Sequence, residues 1–208
     1  MRNNEGTTMG MTDTEHEQHD KLNSIIQKLN EVNSGNIVLI GDIMLDCYIH
    51  GYANNLNSRA PVPVLRETHR EEDVGAAAHV ARGLESMRYR GRLFGIVGDD
   101  KAGSRVIEYL EDENVETSGI AIIEGRTTTV KTRMLASRES LIQGEQLLLR
   151  WDVEGDEAIP ETALEAIYDQ AIANLSEVNC VILSDYGQGV IYDQGVERIT
   201  KHAKENNI

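Results

Sequence analysis

The stretch Ile37-Val38-Leu39-Ile40-Gly41-Asp42 decides the fold of this chain. Four consecutive apolar residues stop at a glycine, and an aspartate follows directly. A strand of a parallel sheet is covered on both faces, so it is apolar at every position rather than at alternate ones. The stretch therefore predicts a buried strand of a mostly parallel sheet, with Asp42 at its carboxyl end.

Further apolar runs and amphipathic segments alternate along the chain. Buried strands are predicted at residues 93–97 and 180–183, where apolar residues again form continuous runs. Apolar residues at intervals of three and four predict helices at 21–32 and 75–87, then after Asp100, Pro160 and Asp193. Strands that alternate with helices are typical of an α/β fold with a mostly parallel sheet.

Two segments interrupt this alternation. Residues 48–74 contain Pro61 and Pro63, and residues 120–152 are rich in Thr, Val, Ile and Leu. Both have strand-forming composition without helical spacing. We interpret them as antiparallel strands outside the main sheet, which form a small β layer, the lid, over one end of the domain.

The acidic composition excludes two classes of partner. The 208 residues carry a formal net charge of −15, and no basic patch interrupts it. Nucleic acids and anionic membranes bind clustered Lys and Arg, so neither is an expected partner. No apolar run approaches the ~18 residues that a membrane span needs. The sequence predicts a cytoplasmic protein with a disordered polar tail at residues 1–20 and one domain at residues 21–208.

Cysteine and histidine positions give no metal site. Cys47 and Cys180 lie in apolar runs and are predicted to be buried free thiols in a reducing compartment. No pair has metal-ligand spacing. Four histidines of the domain are scattered in the sequence, so no zinc site is predicted; they are His50, His69, His79 and His202.

The carboxyl end of the first strand is the expected ligand site, because α/β sheets bind ligands at the carboxyl ends of their strands. Asp42 and Asp46 follow that strand, and a carboxylate can accept hydrogen bonds from sugar hydroxyls. For Asp42 the alternative is a turn cap. Gly75 opens a predicted helix and permits close approach of a ligand, or it is an ordinary helix start.

The order of several motifs resembles the ribokinase-like (PfkB) carbohydrate kinases, in particular the heptose-7-phosphate kinases. These motifs extend from the first strand almost to the end of the chain. They are Gly41-Asp42-x-Met44-Leu45-Asp46, Ala60-Pro61-Val62-Pro63-Val64, the Gly75-Ala76-Ala77 helix entry, Gly95-Ile96-Val97-Gly98-Asp99-Asp100-x-x-Gly103, Thr129-Val130-Lys131-Thr132-Arg133, Leu148-Leu149-Arg150-Trp151-Asp152 and Ser184-Asp185-Tyr186-Gly187-x-Gly189-Val190.

The resemblance implies a ribokinase-like three-layer sandwich with a β lid. It also implies transfer of the γ-phosphoryl group of ATP, with Mg²⁺, to a sugar hydroxyl. In the heptose branch that hydroxyl is C1 of heptose 7-phosphate, in the synthesis of ADP-heptose, a lipopolysaccharide precursor. By motif position, Asp46 would bind sugar hydroxyls and Asp42 would shape the same pocket. The lid strands of such kinases commonly pair between subunits, which implies a homodimer.

Three cations of the lid are candidates for the sugar phosphate: Lys131, Arg133 and Arg150. An arginine fork matches phosphate oxygens, although a solvated lid face would carry the same residues. Four positions depart from the family pattern: Arg59 stands where a Glu is usual, Ala76 where a second Gly is usual, His79 where an Asn is usual, and Gln188 where a Lys is usual. The change at Gln188 removes a positive charge from a place where phosphate chemistry would use one.

In the family, the catalytic Asp lies in a Gly-Ala-Gly-Asp turn of the C-terminal half, which also carries most ATP contacts. That motif is not in these 208 residues. The resemblance therefore gives this chain the sugar-binding part of the fold, with the C-terminal part missing, and assigns it no catalytic or ATP-binding residue. Two alternatives stay open: a non-catalytic sugar-phosphate-binding or dimerisation module, and a kinase for a different sugar. An incomplete sheet has an unpaired edge, so we expect the chain to associate.

Overall fold

The structure, a computed structural model, describes residues 18–19, 21–26, 35–137 and 144–208. Residues 18–19 and 21–26 are helical. The remainder of the helix predicted at 21–32, and of the polar tail predicted at 1–20, lies outside the described residues.

From residue 35 onward, eight strands and four α-helices follow one another. In chain order they are β1 (Asn36–Gly41), β2 (Ile43–Leu56), β3 (Pro63–Ala76), α1 (Ala77–Ser86), β4 (Arg90–Gly98), α2 (Lys101–Asp112), β5 (Ile120–Ile123), β6 (Thr129–Ser137), β7 (Gln146–Val153), α3 (Glu161–Ala173), a 3₁₀ turn (Leu175–Glu177), β8 (Cys180–Ser184) and α4 (Asp193–Glu205).

The main sheet is parallel throughout, in the order β5-β4-β1-β8. Val38, Leu39 and Ile40 of β1 have no exposed surface, as the continuous apolar run predicted. Leu39 packs in a core with residues of α1 and α2, and Val38 and Ile40 pack in a second core with residues of α3 and α4. Two helical layers thus enclose the sheet, which confirms the predicted three-layer α/β fold.

The lid is a second sheet of four strands, in the order β3-β2-β6-β7. β2 pairs antiparallel with β3, and β6 with β7, as predicted. Two details of the prediction are wrong. β2 and β6 pair in parallel, and Ile120–Ile123 belongs to the main sheet as β5, because it pairs with β4.

The β2–β3 hairpin changes register at Gly51, where the ladder shifts between His50 and Gly51. A Cβ atom at Gly51 would collide with the carbonyl oxygen of Arg66 on β3. A residue without a side chain is therefore required at this position, which fixes where the irregularity falls.

Three local predictions are corrected by the structure. Gly75 does not open a helix, because β3 continues to Ala76 and α1 begins at Ala77. Met87 lies past the end of α1 and is 62% exposed. Cys180 is exposed, because β8 is the outer strand of the main sheet, whereas Cys47 is buried as predicted. Burial raises the pKa of the Cys47 thiol.

Within the described residues, no helix combines the length and the apolar character that a membrane crossing requires.

Candidate functional site

A cavity of about 460 Å³ lies against one face of the lid sheet. This volume is in the range of small-molecule sites. Its walls come from β2, β3, α1, β6, β7 and the segment after β8. The lining residues are Met44, Asp46, Tyr48, Asp73, Val74, Ala76, His79, Val80, Lys131, Arg133, Arg150 and Tyr186.

The register of the lid places polar side chains in two rows across the four strands. Residues directly opposite one another on paired strands project to the same face of a sheet. The rows are Asp73–Asp46–Lys131–Asp152 and Glu71–Tyr48–Arg133–Arg150. The site is therefore assembled by strand pairing, from residues that lie more than a hundred positions apart in the sequence.

Asp46 is held at the centre of the cavity. Arg133 donates a hydrogen bond from Nη1 to Asp46 Oδ1 at 2.7 Å, and this bond raises the pKa of the Arg133 guanidinium. Arg133 also lies over the Tyr48 ring, 5.2 Å from its centre. A Cβ atom at Gly75 would come within 2.9 Å of Asp46 Oδ2, so glycine leaves room for this carboxylate. Among the described residues, nothing donates to Oδ2, which is available to a ligand hydroxyl.

His79 is oriented by a neighbouring ion pair. Arg82 donates to both carboxylate oxygens of Asp73, and its Nη2 lies 2.9 Å from His79 Nδ1. Because a guanidinium can only donate, Nδ1 accepts and the neutral ring carries its proton on Nε2. His79 can therefore donate a hydrogen bond to a sugar oxygen, as the amide of the expected Asn would.

The three lid cations named from the sequence all line this cavity. Arg150 lies 3.1 Å from Asp152, and Arg133 is paired with Asp46. Within the described part of the chain, Lys131 has no ion-pair partner. Among the residues that line the cavity there are three cations and two carboxylates, Asp46 and Asp73, and Asp73 is already paired with Arg82. A local positive charge in an acidic chain suits an anionic ligand.

Asp42 takes the turn-capping role that the sequence left open as the alternative to sugar binding. It is fully buried and does not line the cavity. Its carboxylate accepts backbone N–H groups of Tyr186, Gln188 and Val190, at 2.7, 3.1 and 3.1 Å. A carboxylate with these three partners favours the turn-cap alternative for Asp42 over direct contact with a sugar. It shapes the pocket indirectly, by holding the segment that places Tyr186 in the cavity wall.

Gln188 connects the segment after β8 to the lid by a hydrogen bond. Thr129 Oγ1 at the start of β6 donates to Gln188 Oε1 at 2.9 Å. The neutral side chain that replaces the expected Lys thus makes a structural contact.

Several lining residues were not found from the sequence. Tyr48 could have been, since it is two positions after Asp46 on the same strand and so shares its face. Asp73 and Tyr186 could not have been predicted to line the cavity. The position of Asp73 depends on the register of β3 against β2, and that of Tyr186 on the path of the chain after β8. His50 and His69, which are far apart in the sequence, lie directly opposite one another in the lid, and this proximity was not found from the sequence.

Comparisons with known proteins agree with this geometry. Residues 34–195 match the pfkB family of carbohydrate kinases. The bifunctional protein HldE of Koribacter versatilis is 34% identical over 172 residues, which are 83% of this chain and 34% of that protein. Arabidopsis thaliana ribokinase, solved with ribose and ATP, has a TM-score of 0.56 at 18% identity, over 85% of this chain and 52% of that one.

Escherichia coli phosphofructokinase-2, solved with fructose-6-phosphate, has a TM-score of 0.58 at 15% identity, over 84% of this chain and 52% of that one. At such low identity the solved structures show the ribokinase-like fold. This chain spans about one third of the length of the curated relatives it matches. The family match extends over most of the chain, from the residue before Gly35 to Gly195 in α4. The chain belongs to the pfkB family of carbohydrate kinases.

Proposed function

We propose that this chain provides the sugar-binding part of a kinase that phosphorylates a sugar phosphate. The observation that carries the proposal is the group of Lys131, Arg133 and Arg150 in one cavity. The chain as a whole has a net charge of −15, so a cluster of three cations around a cavity is a local exception. Cations in this arrangement suit the oxygens of a phosphate group that the sugar already carries.

The remaining polar groups suit the hydroxyls of the same sugar. Asp46 Oδ2 accepts from one hydroxyl, and the Nε2–H group of His79 donates to another. The motif order favours heptose 7-phosphate as the substrate, with phosphorylation at C1. The neighbouring phosphofructokinase-2 structure contains fructose-6-phosphate, also a phosphorylated sugar.

The phosphoryl donor in this proposal is ATP with Mg²⁺, acting in the cytoplasm. Among the related structures, the Arabidopsis ribokinase contains ATP. No described residue is assigned to the nucleotide, and Gln188 carries no charge that could bind a phosphate. We therefore assign ATP binding and the catalytic base to the full family domain rather than to these 208 residues.

A non-catalytic sugar-phosphate-binding module is the second candidate. Gln188 favours it, because its side chain is hydrogen-bonded to Thr129 at the position where the family usually has a Lys. Both candidates bind the sugar phosphate, and they differ in whether phosphoryl transfer follows.

Calorimetry on the 208-residue chain tests the proposal. We expect binding of heptose 7-phosphate and much weaker binding of the unphosphorylated heptose. Arg150→Ala should weaken sugar-phosphate binding by about 10–100-fold, since a hydrogen bond to a charged group contributes ~1.5–3 kcal/mol. Arg66→Ala, on β3 outside the cavity, is the matched control and should bind normally. Equal binding of both sugars would overturn the phosphate assignment.

Detection of sugar 1-phosphate after addition of Mg-ATP separates the two candidates. Product formed by the chain, or by a longer protein that contains it, supports the kinase. Tight sugar-phosphate binding without product in the longer protein supports the module.

We further propose that the lid pairs with a second copy of the chain. β7 is an edge strand of the lid sheet, and it exposes Leu147, Leu149 and Trp151 by 55–56% each. An exposed, apolar edge strand is a template for pairing with another chain. A second lid of the same composition would cover these side chains.

A further inference from the structure

A second polar cluster lies on the lid, one row beyond the cavity. It consists of His50 on β2 with His69 and Glu71 on β3. One ligand atom from each of the three lies within 4.8 Å of the other two. The two imidazole rings are stacked, with centres 4.2 Å apart and planes 6° from parallel.

The hydrogen bonds of His50 fix its tautomer. Its Nδ1 lies 2.6 Å from Glu145 Oε2, and an ionised carboxylate can only accept, so Nδ1 donates. In the neutral ring, Nε2 then carries a lone pair. This atom is buried, and it has no hydrogen-bond partner among the described residues. An unsatisfied buried nitrogen costs about 1–3 kcal/mol.

The hydrogen bonds of His69 also fix its tautomer, with the proton on Nδ1. Thr68 Oγ1 donates its one proton to the carbonyl oxygen of His50, at 3.0 Å. Its contact with His69 Nδ1, at 3.3 Å, must therefore have the ring nitrogen as the donor. His69 Nε2 is then also left with a lone pair, 3.6 Å from Glu71 Oε1.

We propose that His50, His69 and Glu71 form a binding site for a divalent transition-metal ion, with Zn²⁺ as the best fit. The ligands are the two Nε2 atoms and the Glu71 carboxylate, and water can take a fourth position. His50 Nε2 lies 4.0 Å from Glu71 Oε2. In a tetrahedral zinc site with bonds of ~2.0–2.1 Å, ligand atoms are roughly 3.4 Å apart. Separations of up to 4.8 Å would have to shorten by up to about 1.4 Å, and the two rings would have to turn out of their parallel stack, for the site to close around the ion.

The chemistry of the ligands selects the class of metal. Two imidazoles with one carboxylate suit Zn²⁺ and its neighbours, whereas Mg²⁺ and Ca²⁺ prefer oxygen ligands. Glu145 would be a positioning residue, because a carboxylate that accepts from the second nitrogen of a metal-bound histidine orients the ring. The ion would connect β2 to β3. Through the hydrogen bond between His50 and Glu145, it would also be connected to the start of β7.

Calorimetric titration of the chain with zinc chloride tests this site without reference to any enzymatic activity. A Cys180→Ser background removes the exposed thiol, which could bind zinc by itself. We expect one Zn²⁺ per chain, a rise in melting temperature, and no binding of Mg²⁺ at the same concentration. His69→Ala should abolish binding, and the variant should fold as the parent does, because the His69 side chain is 55% exposed.

Glu145→Gln should weaken zinc binding by about 10–100-fold, the usual effect of losing such an orienting carboxylate. Glu67→Gln, an exposed glutamate of β3 paired with Arg70, is the matched control and should bind zinc as the parent does. His202→Ala controls for removal of a histidine elsewhere. Absence of zinc binding by the parent, or equal binding by His69→Ala, would overturn the proposal. Neither result would bear on the proposed sugar site, because none of the three zinc ligands lines its cavity.

Discussion

Asp42 and Asp46 are four positions apart, and their surroundings give them different roles. Asp42 is fully buried beneath three backbone N–H donors, whereas Asp46 lines an open cavity. The motif that contains both residues is therefore partly a structural element and, in the proposed function, partly a binding element.

Substitution by asparagine should separate the two roles. In Asp42→Asn an amide NH₂ group would face backbone donors, so we expect a loss of about 2–4 kcal/mol in the free energy of unfolding. In Asp46→Asn the amide oxygen can still accept from Arg133, so loss of the charge in this mostly buried pair, with side chains 20% and 28% exposed, should cost less, about 1 kcal/mol. Sugar-phosphate affinity should fall in Asp46→Asn. Urea denaturation and calorimetry measure the two effects, and equal destabilisation by both variants would contradict this assignment.

Ala76 is a strained residue at the junction of β3 and α1. Its φ of 53° and ψ of −127° lie in a backbone region that is sterically allowed for glycine and disfavoured for alanine. The Ala76→Gly variant should therefore be more stable by about 1 kcal/mol, since relief of the strain exceeds the added chain entropy. Thermal denaturation measures this difference. Ala78→Gly, in the regular helix next to it, is the control and should be less stable than the parent.

At the residue level, the sequence predicted which side chains gather but not what each one contacts. Lys131, Arg133 and Arg150 were named from motif positions, and all three line the cavity. His50 and His69 were missed because they are nineteen positions apart and meet only through an antiparallel register. Pairing partners of this kind depend on long-range strand contacts, which short-range periodicity does not contain.

Among the elements, helix α2 shows how one carboxylate can connect two layers. Asp100 caps this helix by accepting from the Gly103 N–H at 2.7 Å. Its other oxygen accepts from the Thr128 N–H at 2.8 Å, just before β6. Burial alone would raise the pKa of Asp100, but these hydrogen bonds outweigh it and lower the pKa below its usual 3.8.

The Asp100→Ala variant should lose about 1–3 kcal/mol of unfolding free energy at pH 7, from the lost cap and the unsatisfied N–H groups. A lowered folded-state pKa means that this stabilisation is present above the unfolded value near 3.8. It is lost as the pH falls through the lower folded-state pKa. The difference between parent and variant should therefore shrink below about pH 4. Urea denaturation at pH 7 and pH 3.5 checks this; a difference independent of pH would contradict it.

Elements with strong local signals were predicted correctly from the sequence. The buried strands β1 and β4 and the helix capped by Asp100 are of this kind. The placement of β5 was wrong because four residues rich in Ile suit a lid strand as well as a strand of the main sheet. The burial of Cys180 was wrong because apolar content does not distinguish a central strand from an edge strand.

For the whole molecule, two uncovered surfaces determine the behaviour in solution. One is the outer side of β8, where Cys180, Val181 and Ile199 line a groove of about 280 Å³. The other is β7, with its exposed Leu147, Leu149 and Trp151. Uncovered apolar surface of this kind promotes association.

Sedimentation velocity at several concentrations should show association of the 208-residue chain. Substituting Leu149 and Trp151 with Glu should shift the distribution towards the monomer if the lid forms the contact, because charges on an edge strand oppose pairing. The matched variant Val181→Glu, on β8, tests the other surface. A parent chain that stays monomeric at all concentrations would contradict both.

The register shift at Gly51 has a consequence for the positions of the residues around the cavity. Both rows of the cavity and the histidine pair depend on the alignment of β2 with its neighbours, and a slip by one residue would turn all of them to the opposite face. Gly51 lines no part of the cavity, yet the fit of β2 against β3 depends on its missing side chain. In the proposed function, a Gly51→Ala substitution should therefore weaken ligand binding through the alignment of the hairpin, although it changes no residue that lines the cavity.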